Sequence, residues 1–219
     1  AGVVTIHDLS FWEFPGSSSL QAGILYGLKV PFSVRRAKRV VVISRSTGQA
    51  VKRRFPETEE KQVHVPNGVE SDFKPLTREA SGRKVRNQFG ISAPFILGVG
   101  TLEPRKNWTL VGEALAASSD PALQGLHFVL CGGKGRGAGK IQERLGKMLP
   151  GRVHFLNPLN RSDLKALYSS CEMLAYPSRY EGFGLPVLEA LACGRPVVTS
   201  KVSSLPEAAG GAALLVDPD

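Results

Sequence analysis

Short apolar runs alternate along the chain with longer segments whose apolar residues recur every three or four positions. Apolar runs of about four to eight residues are typical of buried parallel strands, and the wider spacing is typical of helices. Strands are predicted at residues 2–6, 39–43, 62–65, 95–99, 126–131, 153–156, 173–176 and 196–200. Helices are predicted at residues 20–34, from the N-cap Ser44 to about 55, from about 108, from about 160 to 170, and at 187–193. This alternation predicts an α/β protein with doubly wound parallel sheets.

A polar, proline-containing segment interrupts the alternation after residue 70. We predict a first domain over residues 1–72, a linker over 73–84 and a second domain over 85–219. Only about two β-α units precede Pro66, whereas an open doubly wound domain needs several. We therefore expect the chain to be part of a longer protein, with an incomplete first domain that leaves a strand edge and an apolar face exposed.

The stretch YPSRYEGFGLPVLEALACGRP, residues 176–196, joins a buried strand to a helix through a glycine-containing loop. Pro186 suits the first turn of that helix, and Gly194 followed by Pro196 ends it. The free N–H groups at a helix start fed by such a loop form an anion site, which phosphate usually occupies. The predicted members of this site are Gly182, Phe183, Gly184 and Leu185.

Two carboxylates frame this predicted phosphate site. Glu181 lies in the loop and Glu189 lies in the helix, with seven residues between them. Because like charges repel, acids beside a phosphate are better suited to accept hydrogen bonds from sugar hydroxyls. A nucleotide-sugar has a hexose at one end and a ribose at the other, so each acid could bind one sugar. The alternative is that Glu181 is a solvated loop acid and Glu189 a surface acid of the helix.

The segment EGFGLPVLEALACGRPVV resembles the E-x7-E signature of retaining glycosyltransferase family 4, the glycosyl transferases group 1. The likeness continues through SSLPEAAGGAALLVDP at residues 203–218 and VPNGV at residues 65–69, so it covers essentially the whole chain. The resemblance implies the GT-B fold, with two Rossmann-like doubly wound domains. It implies that the first domain is partly present and that the second lacks only its last helices.

The resemblance also implies an enzyme that moves a hexose from a nucleotide-diphosphate sugar to a glycan or lipid-linked acceptor. In the family mechanism the acceptor attacks from the face that the diphosphate leaves, so catalysis depends on stabilising the leaving group. Glu181 would hold the donor sugar and Glu189 the ribose. The loop GTLEPRKN resembles bacterial mannosyltransferase-like members, which favours GDP-mannose as the donor and polysaccharide biosynthesis as the process.

Two adjacent cations, Arg105 and Lys106, lie in the loop that follows the predicted strand at residues 95–99. Cations are disfavoured at a helix N-terminus, so their position there indicates a function. They could neutralise a diphosphate leaving group as its charge develops. The family usually has an arginine directly after the first glycine, Gly100, which is itself assigned to the donor site. Thr101 occupies that position here, and we expect Arg105 to supply the missing cation.

His7 directly follows the first predicted strand, at the sheet edge where open parallel sheets bind ligands. A histidine there is more often structural than catalytic. The family, however, has a histidine at the matching place, directed at the reacting sugar, and this makes His7 a predicted catalytic residue with Asp8 orienting its ring. An aromatic-rich loop predicted at residues 11–16 would lie near the acceptor.

The glycine-rich loop GGKGRGAGK follows the predicted strand at residues 126–131. Its glycines fit a loose dinucleotide fingerprint, but no acid follows the strand at residues 153–156 to bind a ribose, and the P-loop pattern fails. The loop instead resembles the family's loop beneath the nucleotide, which assigns Gly133 to the donor site. Asn157 would lie beside the base in the same pattern.

Basic residues outnumber acidic ones, with 28 Lys and Arg against 19 Asp and Glu and a formal net charge of +9. A cluster of these cations comprises Lys29, Arg35, Arg36, Lys38 and Arg39. The cluster is either a solvated surface or a patch for anionic membrane lipids or a phosphorylated acceptor. No nucleic-acid motif accompanies the charge, so nucleic acid is not an expected partner.

The three cysteines are widely spaced and form no C-x-x-C pair, which indicates a reduced, cytoplasmic compartment. No apolar run reaches the roughly 18 residues that span a bilayer. Peripheral contact at the inner membrane face is an open alternative. We expect neither a metal nor another cofactor, because the sequence has no metal-ligand cluster. The rival functions are a non-catalytic nucleotide-sugar-binding module and another GT-B enzyme such as a phosphorylase.

Overall fold

Two parallel sheets organise the computed structural model of the protein, which describes residues 2–14 and 20–219. The smaller sheet has the order β1-β2-β3, with strands at Val3–Ile6, Arg39–Val42 and Gln62–His64. The larger sheet has the order β6-β5-β4-β7-β8-β9. Its strands are β4 (Phe95–Val99), β5 (His127–Cys131), β6 (Val153–Leu156), β7 (Met173–Tyr176), β8 (Val197–Ser200) and β9 (Leu214–Val216).

Helices connect these strands. They are α1 (Ser10–Glu13), α2 (Leu20–Arg36), α3 (Arg45–Arg54), α4 (Arg78–Phe89), α5 (Trp108–Ala117), α6 (Pro121–Gln124), α7 (Ala138–Met148), α8 (Arg161–Ser170), α9 (Leu185–Ala192) and α10 (Leu205–Ala209). Short 3₁₀ turns cover Pro56–Lys61 and Pro104–Lys106. Ser44 caps α3 through its side chain, as predicted. Asn160, which was predicted as the cap of α8 with Ser162 as the alternative, makes the capping hydrogen bond of that helix.

The strand order of the larger sheet reverses between β4 and β7. The chain runs outward from β4 through β5 to β6, then returns to the other side of β4 and continues from β7 to β9. In an open α/β sheet, the loops after two such neighbouring strands diverge and leave a crevice at the carboxyl edge. The loop after β4 carries Arg105 and Lys106, and the loop after β7 carries Glu181. The topology therefore directs the predicted cations and the predicted acid to one crevice.

Each sheet has its own hydrophobic cluster. The larger cluster is built around fully buried aromatic residues and is continuous from Phe73 to Ala209. Its largest buried side chains are Trp108, Tyr168, Tyr176 and Phe128. The smaller cluster joins β1 and β2 to α3 through residues such as Val40 and Val51. The alternation of strands and helices predicted from the sequence is thus confirmed, and all eight predicted strands are present.

The predicted linker at residues 73–84 is mostly exposed but contains buried residues and the start of a helix. Phe73 belongs to the larger hydrophobic cluster, and α4 begins at Arg78 inside the predicted linker. Thr77 caps this helix, and the left-handed Gly90 ends it. The segment looked like a linker because α4 is mostly polar and buries only Ser81 and Val85. The division into residues 1–72 and 85–219 stays a prediction.

Two very short helices lie where no helix was predicted. One is α10, which begins at Leu205, and the other is α1, most of which lies in the predicted aromatic loop at residues 11–16. Pro15 and Gly16 of that loop lie outside the described residues. Both helices have no more than five residues, and a helix this short has too few apolar positions to show a helical period in the sequence.

The helix α2 exposes apolar side chains on the side away from Val34, which is fully buried. The exposed fractions are 59% for Ile24, 70% for Leu28 and 63% for Phe32. Val3 on the edge strand β1 is 67% exposed, so this part of the molecule has the exposed strand edge and apolar face that were predicted. Among the described residues, no helix combines the length and the apolar character needed to cross a membrane.

Candidate functional site

The loop after β4 turns its cations back toward β7. Gly100 has a φ of 145°, and a Cβ there would lie 3.3 Å from Lys106 Cε, so glycine makes room for the lysine side chain. The turn Pro104–Lys106 then ends at Asn107, which has the left-handed φ of 57°. Trp108 Nε1 donates to the carbonyl of Thr101 at 3.1 Å and closes the loop.

Glu181 receives both cations of this loop. Lys106 Nζ lies 2.7 Å from Glu181 Oε1, and Arg105 NH1 lies 3.1 Å from Glu181 Oε2. Lys106 also donates to Tyr176 Oη at 2.7 Å. Arg105 further pairs with Glu103 at 2.6 Å and donates to the carbonyl of Tyr180 at 2.5 Å. The predicted residues Arg105, Lys106 and Glu181 thus form one charge cluster, which also includes the unpredicted side chains of Glu103 and Tyr176.

The cluster is buried, and burial lowers the pKa of Lys106 despite its contact with Glu181. Glu181 is only 8% exposed and Lys106 only 6%, so the interpretation of Glu181 as a solvated loop acid is wrong. Burial alone would raise the pKa of Glu181, but Lys106 and Arg105 outweigh burial and lower that pKa below its usual value. Burial opposes the charge of Arg105 as well, yet Glu181 and Glu103 raise the pKa of its guanidinium.

Serine hydroxyls hold the backbone around Glu181 in place. The Glu181 N–H donates to Ser203 Oγ at 2.9 Å. Ser204 Oγ lies 2.8 Å from the carbonyl oxygens of both Glu181 and Phe183. Gly184, with a φ of 115°, is the N-cap of α9, so this helix begins directly after the Glu181 loop, as predicted.

The predicted histidine lies directly against the Glu181 loop. A Cβ at Gly182 would lie 2.3 Å from the carbonyl oxygen of His7, so only glycine permits this approach of the two backbones. The imidazole of His7 itself is exposed. The Leu9 N–H lies 3.4 Å from Tyr180 Oη, a second contact between the segment after β1 and the segment after β7.

Glu189 has different surroundings from Glu181. It is partly buried on α9, and Tyr168 Oη donates to its Oε2 at 2.7 Å. Within the described residues, 2–14 and 20–219, Glu189 forms no ion pair. Burial raises the pKa of this carboxyl, and the Tyr168 hydrogen bond offsets only part of that shift. The structure therefore gives the two acids of the motif separate partners.

The loops after β4 and β5 lie against each other. The Leu102 N–H donates to the carbonyl of Gly133 at 2.9 Å, and a Cβ at Gly132 would lie 2.1 Å from the carbonyl oxygen of Gly100. Asn157 is exposed after β6, and its carbonyl accepts the Cys131 thiol at 3.6 Å. Phe183 is buried and Leu185 is 39% exposed at the start of α9. All the predicted donor residues thus lie in loops at the carboxyl ends of β4 to β7 or on α9 beyond them.

Sequence analysis missed four residues that support the site: Glu103, Tyr176, Ser203 and Ser204. Glu103 had one usable signal, because it lies two positions before Arg105 and an Arg–carboxylate pair can form across that turn. The serines had none, since their contacts with the Glu181 loop span more than twenty positions. Within the described part of the chain, no group of three or more His, Cys, Asp or Glu side chains is placed to hold a metal ion.

The family model described as glycosyl transferases group 1 matches residues 83–219. The chain is 30% identical to O-antigen chain mannosyltransferase B of Escherichia coli over 99% of its length, and 29% identical to O-antigen chain mannosyltransferase RfbU of Salmonella typhimurium. It covers 57% and 56% of those two proteins, so it spans somewhat more than half of their length.

Solved structures support the same assignment. HepE of Anabaena, crystallised with UDP and glucose, has a TM-score of 0.76 and 25% identity; the match covers 99% of this chain and 57% of HepE. WaaG, a glycosyltransferase involved in lipopolysaccharide biosynthesis, also has a TM-score of 0.76, and at 19% identity it supports the fold alone. That match covers 98% of this chain and 61% of WaaG. The predicted GT-B fold is confirmed, and the chain belongs to the glycosyl transferases group 1 family.

Proposed function

We propose that the protein is a retaining hexosyltransferase that uses a nucleotide-diphosphate sugar, with GDP-mannose as the favoured donor and a glycan or lipid-linked acceptor. The observation that carries the proposal is the buried cluster of Arg105, Lys106 and Glu181 in the crevice between β4 and β7. Two relatives are named as O-antigen mannosyltransferases, which favours mannose and polysaccharide biosynthesis. The complex of HepE with UDP and glucose supports a nucleotide-sugar as the class of donor.

The two cations retain hydrogen-bond donors for a diphosphate. Of the three N–H donors of Lys106, the contacts in the described part of the chain use two, on Tyr176 and Glu181. Arg105 makes three of its five possible contacts, with Glu103, Tyr180 and Glu181. The backbone N–H groups of Gly184 and Leu185, where the chain enters α9, would add further donors. These groups would stabilise charge on the departing phosphate. Arg105 would partly replace the arginine that the family usually has at the position of Thr101.

The remaining residues divide between donor and acceptor sides. Glu181 would accept hydrogen bonds from the hydroxyls of the donor hexose. Glu189 is only partly buried, and it would accept hydrogen bonds from the ribose. Gly100, Gly133 and Asn157 would surround the nucleotide. The exposed ring of His7 would reach the reacting sugar, since its backbone adjoins Gly182.

No metal or other cofactor is proposed, because two cations and a helix start can neutralise the diphosphate without one.

The basic surface of α2 is proposed as a peripheral contact for an anionic membrane, consistent with a cytoplasmic enzyme acting on a lipid-linked acceptor. Its members Lys29 and Arg36 are exposed next to Leu28 and Phe32, and Arg36 lies 5.2 Å from the Phe32 ring centroid. Sedimentation with anionic and neutral vesicles, compared for Lys29→Glu, would test this contact.

The activity is tested by incubating the full-length protein with GDP-mannose, UDP-glucose and other nucleotide-sugars, with and without a panel of free and lipid-linked oligosaccharides. Acceptor-dependent release of nucleoside diphosphate supports a transferase, and NMR of the anomeric centre reports retention. Activity should persist in the presence of a chelator. Binding without release would indicate a nucleotide-sugar-binding module, and cleavage that requires orthophosphate would indicate a phosphorylase.

A further inference from the structure

The first turn of α3 is where the smaller sheet meets the larger one. Helix starts leave N–H groups without a partner in the helix, and Ser44 satisfies one of them by accepting from the Thr47 N–H at 3.0 Å. The Arg45 N–H instead donates to Glu207 Oε2 at 2.8 Å, across 162 positions of the chain. A carboxylate at this place is also favoured by the helix dipole.

The second oxygen of the same carboxylate holds a strand end. Glu207 Oε1 lies 3.0 Å from His64 Nε2, and His64 is the last residue of β3. Glu207 itself lies on α10, beyond β8 of the larger sheet. The Glu207 side chain therefore connects α10 to both α3 and β3.

The same short helix also supports the Glu181 loop. Ser204, directly before α10, lies within hydrogen-bond distance of two carbonyl oxygens of that loop, those of Glu181 and Phe183. A parallel connection comes from α3, because Thr47 Oγ1 lies 3.3 Å from the carbonyl of Gly182 and 3.4 Å from that of His7. The backbone positions of His7 and Glu181 are thus set by one continuous set of contacts.

We propose that Glu207 is a positioning residue that fixes the His7 side of the crevice against the Glu181 loop. The proposal rests on the proposed function, because it assigns the two sides to one reaction. Glu207 acts through α3 and α10 and touches neither sugar nor phosphate. The nucleotide site lies within loops of the larger sheet, so loss of Glu207 should slow transfer without weakening nucleotide binding.

The test compares Glu207→Ala and Glu207→Gln in the full-length protein, with Glu172→Ala as the matched control. Glu172 is also a partly exposed acid paired with a cation, but its partner Arg78 lies on α4, which packs against α8. Three quantities are measured: hydrogen exchange of the Arg45 amide, dissociation constants for GDP and UDP, and kcat with the best donor.

Losing a hydrogen bond to a charged group corresponds to about a tenfold to hundredfold change, so Glu207→Ala should speed exchange at Arg45 by that factor. It should reduce kcat by about tenfold and leave the nucleotide dissociation constant within about twofold. Glu207→Gln keeps an oxygen acceptor for the Arg45 N–H and should fall between wild type and alanine in both exchange and kcat. The control should match wild type in all three quantities.

Unchanged exchange at Arg45 in Glu207→Ala would overturn the proposal, because the bridge would not exist in solution. Faster exchange with unchanged kcat would also overturn it, since the bridge would then have no role in transfer. A parallel loss of nucleotide binding would show that α10 merely supports the larger sheet. Failure of the proposed function is a separate result, visible in the wild type as no acceptor-dependent release of nucleoside diphosphate.

Discussion

The loop that carries Glu181 and the helix turn that carries Glu189 belong to one short motif, yet the pKa values of the two carboxyl groups are shifted in opposite directions. Glu181 is surrounded by two cations, and its pKa is lowered despite burial. Within the described part of the chain, Glu189 accepts from one neutral donor, Tyr168, and burial raises its pKa. The difference shows that spacing in a motif does not define the electrostatic role of its residues. The neighbours brought in by the fold decide that role.

The contrast also changes what each acid can do. A carboxylate that balances two buried cations contributes to the structure of the crevice before any donor binds, and its removal affects both folding and chemistry. A carboxylate that accepts a hydrogen bond from one neutral partner can exchange that partner for a ribose hydroxyl. Substitutions at the two positions should therefore differ in both kind and size.

The largest effect is expected from Glu181→Ala. It leaves Arg105 and Lys106 buried without their shared counter-charge, and breaking a buried ion pair costs about 3–5 kcal/mol. Urea unfolding should show this loss, and transfer should fall below detection. Glu181→Gln keeps an oxygen for Lys106, so it should retain more stability while remaining largely inactive. An unfolding free energy of Glu181→Ala within about 1 kcal/mol of wild type would contradict the role given to the cluster.

The next effect is expected from the cations. Arg105→Ala and Lys106→Ala should each lower kcat/KM by about tenfold to hundredfold, because each removes one charge-assisted contact to phosphate. Arg105 also holds Glu103, so the double variant Glu103→Ala with Arg105→Ala should lose less than the sum of the single losses. Strict additivity would mean that the Glu103–Arg105 pair does not position Arg105.

Glu189 should give a smaller and different effect. Glu189→Gln removes the charge that would accept ribose hydroxyls, so the dissociation constant for nucleoside diphosphate should rise by about tenfold, with kcat changed little. Tyr168→Phe is the matched variant, since it removes the partner of Glu189 and leaves the carboxylate. A nucleotide affinity unchanged in Glu189→Gln would remove Glu189 from the donor site.

The smallest effect, and the sharpest contrast, is in the pH dependence of stability. The lowered pKa of Glu181 means that its ionised form stabilises the fold above the usual glutamate pKa, and this contribution is lost as pH falls through the folded value. The raised pKa of Glu189 shifts stability in the opposite direction, because its ionised form costs stability as pH rises through the folded value.

The stability cost of Glu181→Gln should shrink on acidification, whereas Glu189→Gln should gain stability relative to wild type as pH rises. Urea titrations between pH 3 and pH 7 can measure both slopes, since the usual glutamate pKa near 4.3 lies between those limits. Slopes of equal sign would show that the two acids share one environment.

Local pattern was enough to predict most of the secondary structure. Apolar runs identified the strands within about one or two residues, because a strand buried on both faces needs a continuous apolar run. Ser44 could be predicted as a cap, and the cap of α8 could be narrowed to Asn160 or Ser162, since a cap depends on residues within one turn. The motif around Glu181 likewise showed its loop, its helix start and its glycines, because these are properties of neighbours in the chain.

The sequence alone did not determine which distant residues meet. Glu181 lies 75 positions from Lys106 and 22 from Ser203, and these contacts follow from the strand order of the larger sheet. The position of α10 and its Glu207 contact with Arg45 likewise depend on how the two sheets lie together. A carboxylate looks the same in the sequence whether it will be buried between two cations or left with one phenol. Only the folded chain sets the burial and the neighbouring charges that lower the pKa of Glu181 and raise that of Glu189.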